Sequence, residues 1–225
     1  MPSLALLLLN LFMIVTGSSA FDPVDQYLIN CGSSKDTKLD DGRTFMSDSE
    51  SSAILSAEHN ISAKANFSAN VPSELYLTVR IFTQKSSYNF DIKRTGRHWI
   101  RLYFFAFPYS KFDLRDAVFS VKIDGFVLLN RNFNNGNNPL LFKEYLINVT
   151  SGRLSLLFSP VNNSIAFVNA IEVVSAPDEL TSGKALDVDT LKEFNGIFDY
   201  ALEIAYKIRM GGPIIHSVND TLWRT

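Results

Sequence analysis

The stretch Ser164-Ile-Ala-Phe-Val-Asn-Ala-Ile-Glu-Val-Val-Ser-Ala-Pro-Asp178 decides the fold. Over 165–174 it is largely apolar on both alternating faces, the pattern of a strand covered on two sides inside a sandwich. Ser175-Ala-Pro-Asp178 then ends the strand, because proline has no N–H to give to a ladder and aspartate favours a turn. Working outward, the segments 75–82, 87–92, 98–107, 118–123, 126–133, 140–149 and 154–159 are rich in β-branched and aromatic residues. Turn chemistry separates them at Thr95-Gly96, Asp124-Gly125, 134–139 and Ser151-Gly152, with Asp124-Gly125 the clearest hairpin. Eight or more short strands at this spacing predict an all-β fold, a two-sheet sandwich of jelly-roll type.

The ends of the chain read differently. Residues 4–15 are apolar apart from Asn10, and Thr16-Gly-Ser-Ser-Ala20 supplies the small residues of a cleavage site, so 1–20 is expected to be a secretory signal peptide. A bilayer span needs about 17–25 apolar residues, more than this run holds, and charges break every later one. The expected location is therefore secreted and extracellular. Five Asn-x-Ser/Thr triplets, at Asn60, Asn66, Asn148, Asn162 and Asn219, are the expected glycosylation sites. Asn148 alternates with Tyr145, Ile147 and Val149, so its side chain is expected on the opposite face.

A hydrophobic content of 46 % with 18 Phe builds a sizeable core. The formal net charge of −2 gives no general attraction to nucleic acid. The single cysteine, Cys31, excludes an internal disulfide framework and reads as a buried thiol on one face of its strand with Tyr27 and Ile29. Residues 179–200 mix acids with apolar residues and glycine and read as a linker, followed by a further strand over 201–210.

The closing words Phe167-Val-Asn-Ala-Ile-Glu-Val-Val-Ser-Ala-Pro-Asp178 resemble the end of the first extracellular module of plant malectin-like receptor kinases, the THESEUS/FERONIA group. Further markers of the resemblance are Tyr27-Leu-Ile-Asn-Cys-Gly-Ser33, Gly96-Arg-His-Trp-Ile-Arg-Leu102, Phe126-Val-Leu-Leu-Asn130, Phe142-Lys-Glu-Tyr145 and Asn148-Val-Thr150. Tyr206-Lys-Ile-Arg-Met-Gly211 echoes Tyr27-Leu-Ile-Asn-Cys-Gly32, and Gly211-Gly-Pro213 with Asn219-Asp-Thr-Leu-Trp-Arg-Thr225 is similar to the opening of the family's second module. The expected organisation is a malectin-like module over 21–178, an inter-module linker over 179–200, and the first strand of a second, truncated module over 201–225. The resemblance implies a ligand-sensing module outside a plant cell, with full-length relatives in the plasma membrane. It implies as partners a pectin-like cell-wall polysaccharide, or a secreted peptide with a lipid-anchored co-receptor. No glycine-rich phosphate loop, H-R-D or D-F-G triplet of a kinase occurs in this chain.

Candidate binding residues come from two patterns. Tyr88, Tyr103 and Tyr109, with Phe105 and Phe107, supply aromatic planes of the kind that stack on the C–H faces of sugars, although Phe105 and Phe107 alternate as core residues. Arg80, Lys85, Lys93, Arg94, Arg97 and Arg101 form a basic run with Asp91 as the only acid inside it, and Arg80, Arg94 and Arg97 are the candidates for a polyanion. The two malectin sugar motifs are kept in part: Leu75-Tyr-Leu-Thr-Val-Arg-Ile81 ends in Ile81 where malectin has a sugar-contacting tyrosine, and Phe105-Ala-Phe-Pro-Tyr109 keeps Tyr109. A secreted β-sandwich glycoside hydrolase is the alternative, with Glu144 and Glu172 as its carboxylate pair. Binding without catalysis is the favoured reading. The three histidines are dispersed and Asp36, Asp40 and Asp41 lack a calcium-loop pattern, so no metal and no cofactor is expected.

Overall fold

A computed structural model describes residues 21–49, 54–65, 71–135, 138–161 and 163–206. The expected signal peptide, the triplets at Asn66, Asn162 and Asn219, and the chain from 207 onward lie outside the described residues. A seven-stranded sheet runs in the order Leu202–Glu203, Leu140–Val149, Gly96–Phe105, Ala170–Ser175, Gln26–Asn30, Thr44–Ser47, Thr37–Lys38. Only the Gln26–Asn30 and Thr44–Ser47 pair is parallel. Opposite lie a five-stranded sheet (Phe126–Asn132, Val118–Ile123, Arg153–Pro160, Ser86–Asp91, Leu55–Ser56) and a three-stranded one (Ala166–Val168, Thr78–Phe82, Ile61–Lys64). Rings from all three meet in the core: Phe104 of the large sheet touches Phe119 and Phe167, at 5.9 Å between ring centres in each case. The fold is the expected all-β sandwich.

The deciding stretch differs in one respect from the single strand expected over 165–174. It is two strands, Ala166–Val168 in the three-stranded sheet and Ala170–Ser175 in the centre of the seven-stranded one, with Asn169 between them. Asn169 makes the break possible because its fully buried amide replaces ladder hydrogen bonds. Its Oδ1 accepts from Phe105 N at 2.7 Å, and its Nδ2 donates to the carbonyls of Tyr76 and Thr78 at 3.0 and 2.7 Å. Buried backbone groups left bare are costly, so the crossing from sheet to sheet requires such a side chain. Likewise 75–82 begins as a 3₁₀ turn, Glu74–Tyr76, capped by Ser73, before the strand Thr78–Phe82.

Both faces of Gly96–Phe105 are covered, and nine of its ten residues are buried. Ile100, Leu102 and Phe104 face the opposing sheets, while Trp99, Arg101 and Tyr103 share the outer face with Leu146, Glu144 and Phe142. The segment after Asp178 forms a small antiparallel pair, Ala185–Leu186 with Glu193–Phe194, and a 3₁₀ turn, Ile197–Asp199. Leu202–Glu203 then pairs with Tyr145 and Leu146 at the edge of the large sheet. No helix among the described residues is long and apolar enough to cross a membrane.

Cys31 is fully buried and free of any disulfide. Burial pushes its thiol well above the usual range, and the nearby Asp48 carboxylate adds to the shift. The thiolate is the reactive form. Native protein is therefore expected to resist an aromatic disulfide reagent, and denatured protein to take up one equivalent. Fast labelling of the native protein would contradict this placement.

Candidate functional site

The structure disperses the residues proposed from sequence. Arg80, 1 % exposed, lies in the core and grips Asp48 with two nitrogens, Nε to Oδ2 at 3.0 Å and Nη2 to Oδ1 at 2.6 Å. Tyr88 is fully buried and donates to the same carboxylate at 2.6 Å. Tyr103 is buried between Phe142 and Tyr76 and donates to Glu172 at 2.6 Å. Arg97 lies beneath the Phe198 ring, its guanidinium carbon 4.2 Å from the ring centre. Burial lowers its pKa, against the pull of Asp178. Arg94 is exposed and pairs with Asp178 at 2.9 Å. It precedes Gly96, whereas Tyr109 follows the far end of the same ten-residue strand, so the two sit about 30 Å apart at the usual strand rise.

The expectation of a basic surface from Arg80 to Arg101 is thus corrected. Three of its arginines, Arg80, Arg97 and Arg101, are buried because acids or a ring distant in sequence cover them. Phe105 and Phe107 are core residues, as their alternation predicts.

Glu144 and Glu172 meet on the outer face of the large sheet, with Arg101 bridging them: Nε to Glu144 Oε2 at 2.6 Å and Nη1 to Glu172 Oε2 at 3.2 Å. Arg43 Nη1 reaches Glu172 Oε1 at 2.7 Å, and all three central side chains are buried. A glycosidase pair needs an open gap of about 5–9.5 Å for a sugar and water. Two carboxylates closed on one guanidinium give the hydrolase alternative no support. Among the described residues no three His, Cys, Asp or Glu side chains gather as a metal site.

Of the candidate residues, Tyr109 lines an open cleft. The cleft, about 690 Å³, lies between the loop Gly32 to Lys38, the strand Ile61–Lys64, the turn at Glu74 and the tip of the Pro108–Tyr109 hairpin. Its floor is held by a short polar chain: Thr78 Oγ1 donates to Asn30 Oδ1 at 2.7 Å, and Asn30 Nδ2 to Thr37 Oγ1 at 2.8 Å. Asp48, fixed by Arg80 and Tyr88, accepts from Gly32 N at 2.9 Å and anchors the loop. Gly32 is required there: its φ is +75°, and a Cβ would sit 2.1 Å from the Val79 carbonyl oxygen. Asp36 is tied by accepting from Ser47 N at 2.8 Å. Lys35, Lys38 and Lys64 are exposed, with Asp36 and Glu74 the acids, so the rim carries one more positive charge than negative. Sequence reasoning missed these lysines, since they come from two separate segments. The polar run Gly32-Ser-Ser-Lys-Asp-Thr-Lys38 after a buried strand was the available signal.

The family profile described as Malectin-like domain matches residues 29–216. This chain belongs to the malectin-like domain family. Receptor-like protein kinase THESEUS 1 of Arabidopsis thaliana is 44 % identical over 218 residues, 96 % of this chain and 25 % of that protein. The crystal structure of the plant receptor-like kinase FER superposes with a TM-score of 0.63 at 31 % identity, over 70 % of this chain and 44 % of that one. A second structure, of the plant peptide RALF23 in complex with FER and LLG2, gives a TM-score of 0.62 at 29 % identity, over 77 % and 47 %. The chain spans about a quarter of the length of the curated relatives it matches. The crystal structure of the ANX1 ectodomain from Arabidopsis thaliana gives a TM-score of 0.66 at 28 % identity, over 76 % of this chain and 46 % of that one.

Proposed function

We propose that this malectin-like module is an extracellular, N-glycosylated recognition domain that binds an acidic cell-wall saccharide of the pectin type in the cleft beside Tyr109, and that it does not catalyse. One observation carries the reading: an open, polar cleft rimmed by Lys35, Lys38 and Lys64, with one exposed aromatic plane. A uronate presents a carboxylate to an ammonium group and a C–H face to a tyrosine, and this rim offers both. The buried Arg80–Asp48–Tyr88 set shapes the cleft from beneath through Gly32 and does not line it.

A second reading follows from the relative seen with a peptide and LLG2. In it this chain supplies part of a receptor surface for a secreted peptide held jointly with a co-receptor. Titrating de-esterified oligogalacturonide into the secreted chain separates the two. Charge attraction between exposed groups is screened within about 8 Å at physiological ionic strength, so affinity is expected to fall as salt rises. Lys64→Glu is expected to weaken binding on the order of tenfold, about 1.4 kcal/mol, and Tyr109→Ala to weaken it less. Salt-insensitive binding of a neutral glucan, or oligogalacturonide binding untouched by Lys64→Glu, would overturn the acidic-saccharide reading.

A further inference from the structure

The segment over 181–206 closes on a charge. Its Ile197–Asp199 turn packs on the strand Leu140–Val149, and Leu202–Glu203 pairs with the edge of the same strand at Tyr145 and Leu146, helped by Ile204 N donating to the Glu144 carbonyl at 2.9 Å and by the Lys143–Glu203 ion pair. Beneath Phe198 sits Arg97, whose Nη2 donates to Thr181 Oγ1 at 2.7 Å. The other two nitrogens of Arg97, with Nε1 of Trp99, are buried and have no hydrogen-bond partner among the described residues. A cover that shuts a cation from water and leaves its donors unmet offsets part of what its own contacts contribute. Phe198 nonetheless stays 42 % exposed.

Directly opposite Arg97 in the sheet is Asn148. Such partners share a face with Cβ atoms about 4.5–5.5 Å apart, so Asn148 stands beside Arg97 on the side the turn covers. It is only half-buried, and Asn148-Val-Thr150 is an acceptor triplet for N-linked sugar. At Asn60, by contrast, the side-chain oxygen already accepts from Arg80.

We propose that Asn148 carries an N-linked oligosaccharide whose first N-acetylglucosamine lies on the exposed part of Phe198 and clasps the 181–206 segment to the sheet. The sugar's C–H face meets the ring, and because it is tethered next to its target the contact is intramolecular, at high effective concentration. Attachment balances as a transfer from a lipid diphosphate-linked oligosaccharide. The Asn148 nitrogen forms the bond to C1 as the bond from C1 to the diphosphate breaks; the amide gives up one proton and the lipid diphosphate leaves. The proposal rests on the extracellular reading only for export through the compartment where this transfer occurs. Its test reads the clasp and not ligand binding.

The test uses the full chain secreted from a eukaryotic host, with site occupancy read by peptide mass spectrometry and opening of 181–206 by amide exchange and limited proteolysis. Trimming every glycan to its first sugar is expected to leave protection intact. Removing that sugar, or deleting the triplet by Thr150→Ala, is expected to speed cleavage within 181–206 about tenfold. Phe198→Ala is expected to do the same and to abolish the further effect of sugar removal. An unmodified Asn148 in the secreted protein overturns the proposal. So does unchanged cleavage after full removal, or an undiminished sugar effect in Phe198→Ala. Should Thr150→Ala fail to be secreted, Asn148→Gln and enzymatic removal from the folded protein make the same comparison.

Discussion

Replacing Arg101 by Leu is expected to remove about 3–5 kcal/mol of stability, the usual cost of taking one partner from a buried ion set. Arg101 is fully buried and is the cation between Glu144 and Glu172, so its loss takes a charge partner from both buried carboxylates. For a domain of this size that is a fall in Tm on the order of 10 °C. The informative comparison is the double change of Arg101 and Glu144 to apolar residues of similar volume, which leaves Glu172 with Arg43 and Tyr103. Because the cost comes from desolvated charge, the double variant is expected to recover much of the loss. Thermal unfolding of the single and double variants measures both; a stable Arg101→Leu protein would mean that water reaches the pair.

Asn169→Ala is expected to cost about 3 kcal/mol or more. It strips a partner from Phe105 N and from the Tyr76 carbonyl, both buried, and from the part-buried Thr78 carbonyl, and each buried loss is worth about 1–3 kcal/mol. Asn169→Asp keeps the acceptor for Phe105 N but turns an oxygen towards two carbonyl oxygens, and is expected to be no better than the alanine. Denaturant titration of both variants checks the ranking. An aspartate variant as stable as the parent protein would show that the amide donors are dispensable.

Strand positions were largely legible, because alternation and turn residues are local signals. The segments 118–123 and 140–149 match the strands Val118–Ile123 and Leu140–Val149 at both ends. The break at Asn169 was not legible, since an asparagine inside an apolar run reveals nothing of three backbone groups up to 93 residues away. The same reason hid the fate of the arginines. Arg80 and Arg101 read as surface charges until Asp48, 32 residues back, and Glu172, 71 residues on, are brought beside them. Charge marks the surface only where no partner is waiting inside. Tyr109 was legible because Pro108 ends its strand, while the cleft that gives it meaning is assembled from three distant segments.

The place of Ala170–Ser175 in the large sheet has a consequence for the order of events at birth. It lies between Gln26–Asn30 and Gly96–Phe105, yet it is the last of the three to be made. A nascent chain that has reached residue 165 carries both neighbours with their facing edges bare, and bare edges invite pairing with other chains. The module therefore cannot close progressively from its amino terminus. It waits, open along its middle, for the words Asn169-Ala-Ile-Glu-Val-Val-Ser175, and whatever guards it in the meantime must shield a gap rather than an end.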